Sequence, residues 1–193
     1  VEAYLSQKAN FFSDMFVEEG LEILTYALDG SPSLDITTPE EILLAQAGTM
    51  ISLATTSSSL GLASLLSLTI NSRYKMLKSL VSSILLPYMI EVISKYKSAK
   101  IVKLAKIMKC IPENEEETLG DAEICKYFVD SLRERIAKAN LPTRLKDLNL
   151  TIEQLSLAVE DVKQIDFVNT LPRSMSTDDI FDFMIGFEPT YSR

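Results

Sequence analysis

From Ile42 to Ser72 the chain runs for 31 residues without a single charge. A stretch of that kind has few homes. About 20 apolar residues span a bilayer as one helix, and a helix that is apolar all round is otherwise buried among other helices. Here the run also holds Gln46, Thr49, Ser52, Thr55, Thr56, Ser57, Ser58, Ser59, Ser64, Ser67 and Thr69. So many hydroxyls leave no clean window matched to hydrocarbon. The reading is therefore a helix, or a broken helix pair, buried on all sides by other helices, with no membrane involved.

The flanking sequence supplies those helices. From Phe11 to Leu28 the apolar residues Phe12, Met15, Phe16, Leu21, Ile23, Leu24 and Leu28 recur largely at three- and four-residue steps. Asn10 is placed to cap this helix, and Asp29-Gly30-Ser31-Pro32 to stop it. Thr38-Pro39-Glu40-Glu41 predicts the next start, with Thr38 as N-cap and proline at the first helical position. Pro87 inside the apolar stretch Leu80–Val92 predicts a kinked or interrupted helix. Six lysines (95, 97, 100, 103, 106, 109) surround Ile101, Leu104, Ile107 and Met108, which reads as a solvated face on a packed helix. Pro112–Thr118 reads as an exposed loop with four glutamates, and Ala122–Ala139 as another amphipathic helix. Short helices follow Thr143, the Thr151–Gln154 capping box and Ser176-Thr177-Asp178-Asp179. No segment alternates with a period of two, so the fold class is all-α, a multi-helix bundle.

Composition narrows the chemistry. With no histidine, the chain cannot supply a Ser-His-Asp or Cys-His nucleophile system, an HExxH site or any imidazole metal ligand. Its six glycines, at 20, 30, 48, 61, 120 and 186, are never closer than ten positions, which excludes a GxGxxG turn or a Walker A loop. A formal charge of −8 argues against nonspecific nucleic-acid binding, and the tyrosines show no stacking periodicity for single strands. Cys110 and Cys125, 15 apart, form no CxxC pair, so a reducing cytoplasm is the expected location. Cys125 lacks an activating partner and is expected to be buried and inert. Glu18-Glu19 with Glu22, and Asp178-Asp179 with Asp182, gather carboxylates, but both groups read as helix-start or solvated features. The first residue is Val1, with no charged stretch leading into an apolar run, so no signal peptide is read.

Four stretches, in order, resemble the C-terminal helical domain of the iron-containing (group III) alcohol dehydrogenases. Val1-Glu2-Ala3-Tyr4-Leu5-Ser6-Gln7-Lys8-Ala9-Asn10, with Asp14 following, resembles the family's IEAYVSxKANPxxD. Leu60-Gly61-Leu62 resembles the GLGLxH approach to the metal site, and Ile84-Leu85-Leu86-Pro87 the AILLPxV after it. Leu141-Pro142-Thr143-Arg144-Leu145 and Leu171-Pro172-Arg173 to Asp179-Ile180 resemble GLPTRLxxLG and NPRPLTxEDI. The resemblance implies a single helical domain over 1–193 that normally follows an N-terminal nucleotide-binding domain, with the active site between the two. There an iron or zinc ion, held by one aspartate and three histidines, would draw the alcohol oxygen toward alkoxide while hydride leaves for NAD(P).

The ligand positions do not carry over. The aspartate and first histidine of the family pattern fall before Val1. At the next ligand position stands Ser64; Leu68 stands where a substrate-side histidine belongs; Lys78 stands at the last ligand, followed by Ser79 in place of glycine. A neutral serine is a poor ligand for a divalent ion and an ammonium repels one. No cofactor is therefore expected in this chain.

Three readings follow. The preferred one is a metal-free family descendant that acts as a structural or interaction module. The second is an oxidoreductase that still works without the usual metal, with Lys78 polarising a substrate oxygen; against it, a lysine that begins a helix ordinarily snorkels to solvent. The third is unrelated binding through the lysine-rich helix or an apolar surface left by an absent partner domain, with a homo-oligomer or the missing nucleotide-binding domain as partner.

Overall fold

A computed structural model describes residues 1–30, 37–112 and 118–185. Ser31 and Pro32 of the expected stop, the glutamates of the loop before Thr118, Gly186 and Tyr191 lie outside the described residues. The described residues form helices α1 (Glu2–Leu5), α2 (Phe11–Asp29), α3 (Glu40–Ser57), α4 (Leu62–Tyr74), α5 (Lys78–Ile107), α6 (Asp121–Lys138), α7 (Ile152–Lys163) and α8 (Thr177–Ile185). Short 3-10 turns span Leu145–Leu148 and Asp166–Thr170, and no strand occurs among the described residues. The all-α reading holds.

Helix starts follow local chemistry in most cases. The Asn10 side chain accepts from the backbone N–H groups of Phe12 and Ser13 at 3.1 and 3.2 Å. Thr151 and Gln154 cap each other reciprocally, and Ser176 and Asp179 do the same for α8. Thr38 does not cap α3. Pro39 occupies the N-cap and no side chain caps the helix. At the far end of α2, Gly30 takes φ +72°, a conformation that side chains with a Cβ resist.

The uncharged run is a broken pair, α3 and α4, bent by 97° at residues 58–61. Only its second half matches the expectation of burial on all sides. Leu62, Ala63, Leu65, Leu66 and Ile70 of α4 are at most 3% exposed; α4 lies against α5 and α7 at the centre of the fold. By contrast, α3 buries a narrow stripe (Leu43, Ala47, Ala54) against α2, while Ile42 and Leu53 remain 48% and 46% exposed. Its hydroxyls explain why an uncharged face can meet water. Thr49, Ser52, Thr55, Thr56 and Ser57 each donate to the carbonyl four residues back, at 2.8–3.0 Å. No single helix is long and apolar enough to cross a membrane among the described residues.

Helix α2 runs antiparallel to α3. Asn10 Nδ2 reaches the Ser57 carbonyl at 2.7 Å, while Gly20 lies against Ala47, Met50 and Ile51 further along. A Cβ on Gly20 would sit 3.3–3.4 Å from those atoms, so the small residue sets how closely the two helices approach.

The kinked or interrupted helix expected around Pro87 is not interrupted there. Helix α5 passes through the buried proline, and the departure from helical dihedrals comes ten residues later at Lys97 (φ −134°, ψ 39°). The lysines around that break are not a uniformly solvated face. Lys97 Nζ donates to the carbonyls of Leu5 (2.7 Å) and Ser6 (3.3 Å), and Lys100 Nζ to the Tyr4 carbonyl at 2.8 Å and to Asp14 at 2.9 Å. Lys103 pairs with Glu18 at 2.6 Å. Cations at the C-terminal end of α1 meet carbonyls that the short helix cannot satisfy itself.

Candidate functional site

A cleft of about 230 Å³ holds a residue at a predicted metal position. Its walls come from the first residues of α1, from α2 and α3 (Val17, Ile51, Thr55), from the α3–α4 bend and from α5 (Ser82, Ser83, Leu86). Ser64 is part of this lining; Leu68 and Lys78 are not. Leu68 is half-buried one turn beyond Ser64 on α4. Lys78 is exposed at the first position of α5. It lies one turn before Ser82 on the same face, which places it beside the cleft and in solvent.

The cleft is organised around Glu2, which the sequence reading passed over. Its carboxylate accepts the N–H of Ala63 at 2.8 Å, the N–H of Ser64 at 3.2 Å and the hydroxyl of Ser64. The reason lies in the start of α4. Its N-cap is Gly61, which has no side chain to offer, so the first backbone donors of the helix need an acceptor from elsewhere. Burial pushes the Glu2 carboxyl above the usual carboxylate range, and the hydrogen bonds from Ser64 and Ala63 partly offset that rise. Gly61 is itself required by this arrangement. A Cβ there would fall 2.6 Å from Cδ and 2.7 Å from Cβ of Glu2, closer than nonbonded atoms approach. Its φ of −104° is open to any residue, so the requirement is steric.

Hydroxyls beside the cleft fasten α1 and the α3–α4 bend. Ser58 donates to the Ala3 carbonyl at 2.8 Å; Ser59 is hydrogen-bonded to the Thr170 hydroxyl. Ser6 donates to the Thr170 carbonyl at 3.1 Å. The serine-rich end of the uncharged run therefore fastens α1 to the turn at Asp166–Thr170. Further along α1, Tyr4 donates to Glu18 at 2.6 Å and carries the Lys100 ammonium over its ring, 4.3 Å from the centroid. Burial opposes the Glu18 charge, but the hydrogen bonds from Lys103 and Tyr4 outweigh it and hold that carboxyl below its usual range.

The other candidates resolve into structural roles. Glu18 serves the pairing just described, and Asp179 caps α8. Cys125 is 3% exposed, Cys110 is half-buried, both are free thiols, and burial pushes both above the usual thiol range. No group of three or more His, Cys, Asp or Glu residues that could hold a metal ion occurs among the described residues.

Comparison with known proteins gives this cleft a context. The Fe-containing alcohol dehydrogenase family, C-terminal, matches residues 1–185. The chain belongs to that family. Among solved structures it is similar to a 1,3-propanediol oxidoreductase, with a TM-score of 0.83 at 18% identity over 96% of this chain and 47% of that one. It is also similar to an alcohol dehydrogenase from Oenococcus oeni, with a TM-score of 0.84 at 18% identity over 96% of this chain and 48% of that one. A third, a putative alcohol dehydrogenase from Ralstonia eutropha JMP134, gives a TM-score of 0.65 at 16% identity over 98% of this chain and 49% of that one. The chain thus spans about half the length of these relatives. No curated protein gives a significant match.

In this Fe-containing alcohol dehydrogenase domain the predicted ligand positions hold a hydroxyl, an alkyl group and an ammonium, a poor donor set for a divalent ion. The Ser64 hydroxyl spends its proton on Glu2, Leu68 has no donor atom, and Lys78 carries a positive charge in solvent. The Glu2 carboxylate, the one anionic group in the cleft wall, is engaged by three protein donors.

Proposed function

We propose that this chain is a helical domain that keeps the scaffold of the Fe-containing alcohol dehydrogenases without their metal chemistry, and that it acts as a structural or interaction module. One observation supports this above the others. Where the family resemblance puts a metal ligand stands Ser64, a neutral hydroxyl that donates to the Glu2 carboxylate and is a poor ligand for a divalent ion. The retained capping residues and the packed α4 and α5 support a preserved scaffold. The module works in the cytoplasm, and its partner is a second copy of the chain or a nucleotide-binding domain. Exposed Phe11 and Phe12, 76% and 61% accessible at the start of α2, favour such an association.

The test is made on the longest natural protein that carries this sequence. Metal content is measured after purification and after incubation with Fe²⁺ or Zn²⁺, and NAD(P) binding and alcohol turnover are assayed on the same material. The expected result is no stoichiometric metal and no metal-dependent turnover. Stoichiometric iron or zinc accompanied by NAD(P)-linked alcohol oxidation would overturn the proposal. An oxidoreductase that relies on Lys78 is disfavoured by that side chain's exposure. Loss of NAD(P)-linked turnover in Lys78→Met, with folding intact, would revive it.

A further inference from the structure

In the family pattern a metal ion ties the segment just before Val1 to the start of α4 and the start of α5. Here α1, which follows directly on that segment, is tied to the start of α4 by other means. The Glu2 carboxylate, on α1, receives the Ala63 and Ser64 N–H groups and the Ser64 hydroxyl, all from the first turn of α4. We infer that Ser64 is a replacement fastening rather than a merely vacated ligand position: together with Glu2 and Gly61 it forms a clasp that holds α1 on α4 without a cation. The inference rests on the metal-free reading above and gives it a structural mechanism.

Three independent features carry it. First, α1 has only four residues, far below the length at which a helix holds itself in water. Its position must come from tertiary contacts. Second, the Glu2 seat is specific. Gly61 leaves open the volume that a Cβ would fill, and it leaves the first N–H groups of α4 without a local acceptor. Third, the rest of α1 is fastened by side chains from other elements: Ser58 on the Ala3 carbonyl, Lys100 on Tyr4, Lys97 on Leu5 and Ser6. Glu2 and Ser64 complete this pattern at the end of α1 that faces the cleft. A hydroxyl suits the place because it is small enough to donate to the carboxylate while its own N–H does the same.

The experiment compares urea unfolding of the longest natural protein with that of Ser64→Ala, Ser64→Thr, Glu2→Gln, the Ser64→Ala/Glu2→Gln double variant and Ser64→His. Each is also tested for retained Zn²⁺ and Fe²⁺. A hydrogen bond to a charged group sets the scale, so Ser64→Ala should lower the folding equilibrium constant about tenfold or more. Ser64→Thr, which keeps the hydroxyl, should recover most of that loss. The double variant should be hardly less stable than Glu2→Gln alone, because both remove one interaction. Ser64→His should lose stability equally with and without zinc. If Glu2→Gln does not fold, the Ala and Thr variants decide the matter between them.

A neutral Ser64→Ala, effects that add in the double variant, or a Ser64→His protein stabilised by stoichiometric zinc would each overturn the clasp. Stoichiometric metal in the unmodified protein is a different failure. It overturns the metal-free reading, whereas a neutral Ser64→Ala in a metal-free protein overturns the clasp alone.

Discussion

Gly61→Ala isolates the steric half of the Glu2 seat. The backbone at Gly61 (φ −104°, ψ −176°) accepts alanine without strain, so the substitution adds only one methyl group. That methyl would stand 2.6 and 2.7 Å from Cδ and Cβ of Glu2; Cβ is fixed to the backbone, so the start of α1 must shift and carry the carboxylate with it. That shift removes three hydrogen bonds to a carboxylate, from Ala63 N–H, Ser64 N–H and Ser64 Oγ. Bonds to charged groups contribute about 1.5–3 kcal/mol each, but they are not additive. A displaced carboxylate also recovers hydration, which limits the total loss to about 3 kcal/mol. Replacing glycine by alanine restores roughly 0.5 kcal/mol through the unfolded chain. The net loss of about 2–3 kcal/mol corresponds to a melting temperature lower by about 5–10 °C for a domain of this size. Gly48→Ala provides the matched control. Gly48 lies within α3 with nothing within 4 Å of a built Cβ, so alanine should stabilise the helix by about 1 kcal/mol. Scanning calorimetry on both variants decides the question. If Gly61→Ala melts within a degree of the unmodified protein, Glu2 does not depend on that space and the reasoning fails.

Three further outcomes follow from the packing. Lys100→Met removes the ion pair with Asp14 and the bond to the Tyr4 carbonyl; at partial exposure this should cost about 1–2 kcal/mol in urea unfolding, diminishing in high salt. Thr151→Ala removes the N-cap bond to Gln154 and should destabilise α7 by about 1 kcal/mol, read as a fall in the urea midpoint. Both thiols sit above their usual range because they are buried, so iodoacetamide at pH 8 should label folded protein far more slowly than protein in urea. The same shifts fix a sign. Thiols raised in the folded state contribute stability that is fully present below the unfolded thiol range and is lost as pH rises through the folded values. Unfolding midpoints should therefore fall on the alkaline side, and a Cys110→Ala/Cys125→Ala variant should show a shallower fall.

The sequence by itself determined what depends on neighbours a few positions apart. Asn10, Thr151–Gln154 and Ser176–Asp179 start their helices because capping needs only a side chain and a backbone N–H within one turn. The total lack of histidine likewise excludes imidazole chemistry without any knowledge of the fold. Tertiary structure decided the rest. Pro87 is buried inside α5 without interrupting it, and the backbone departs from the helix at Lys97, whose ammonium reaches the Leu5 and Ser6 carbonyls. The uncharged run divides into an exposed α3 and a buried α4, a partition set by which neighbours each half meets and invisible to hydropathy. Glu2 stood in a quoted motif without an assigned task, because its partners lie 61 and 62 residues away. Capping is a local bond and can be read from adjacent letters, whereas a buried carboxylate takes its meaning from whatever donors the folded chain brings to it.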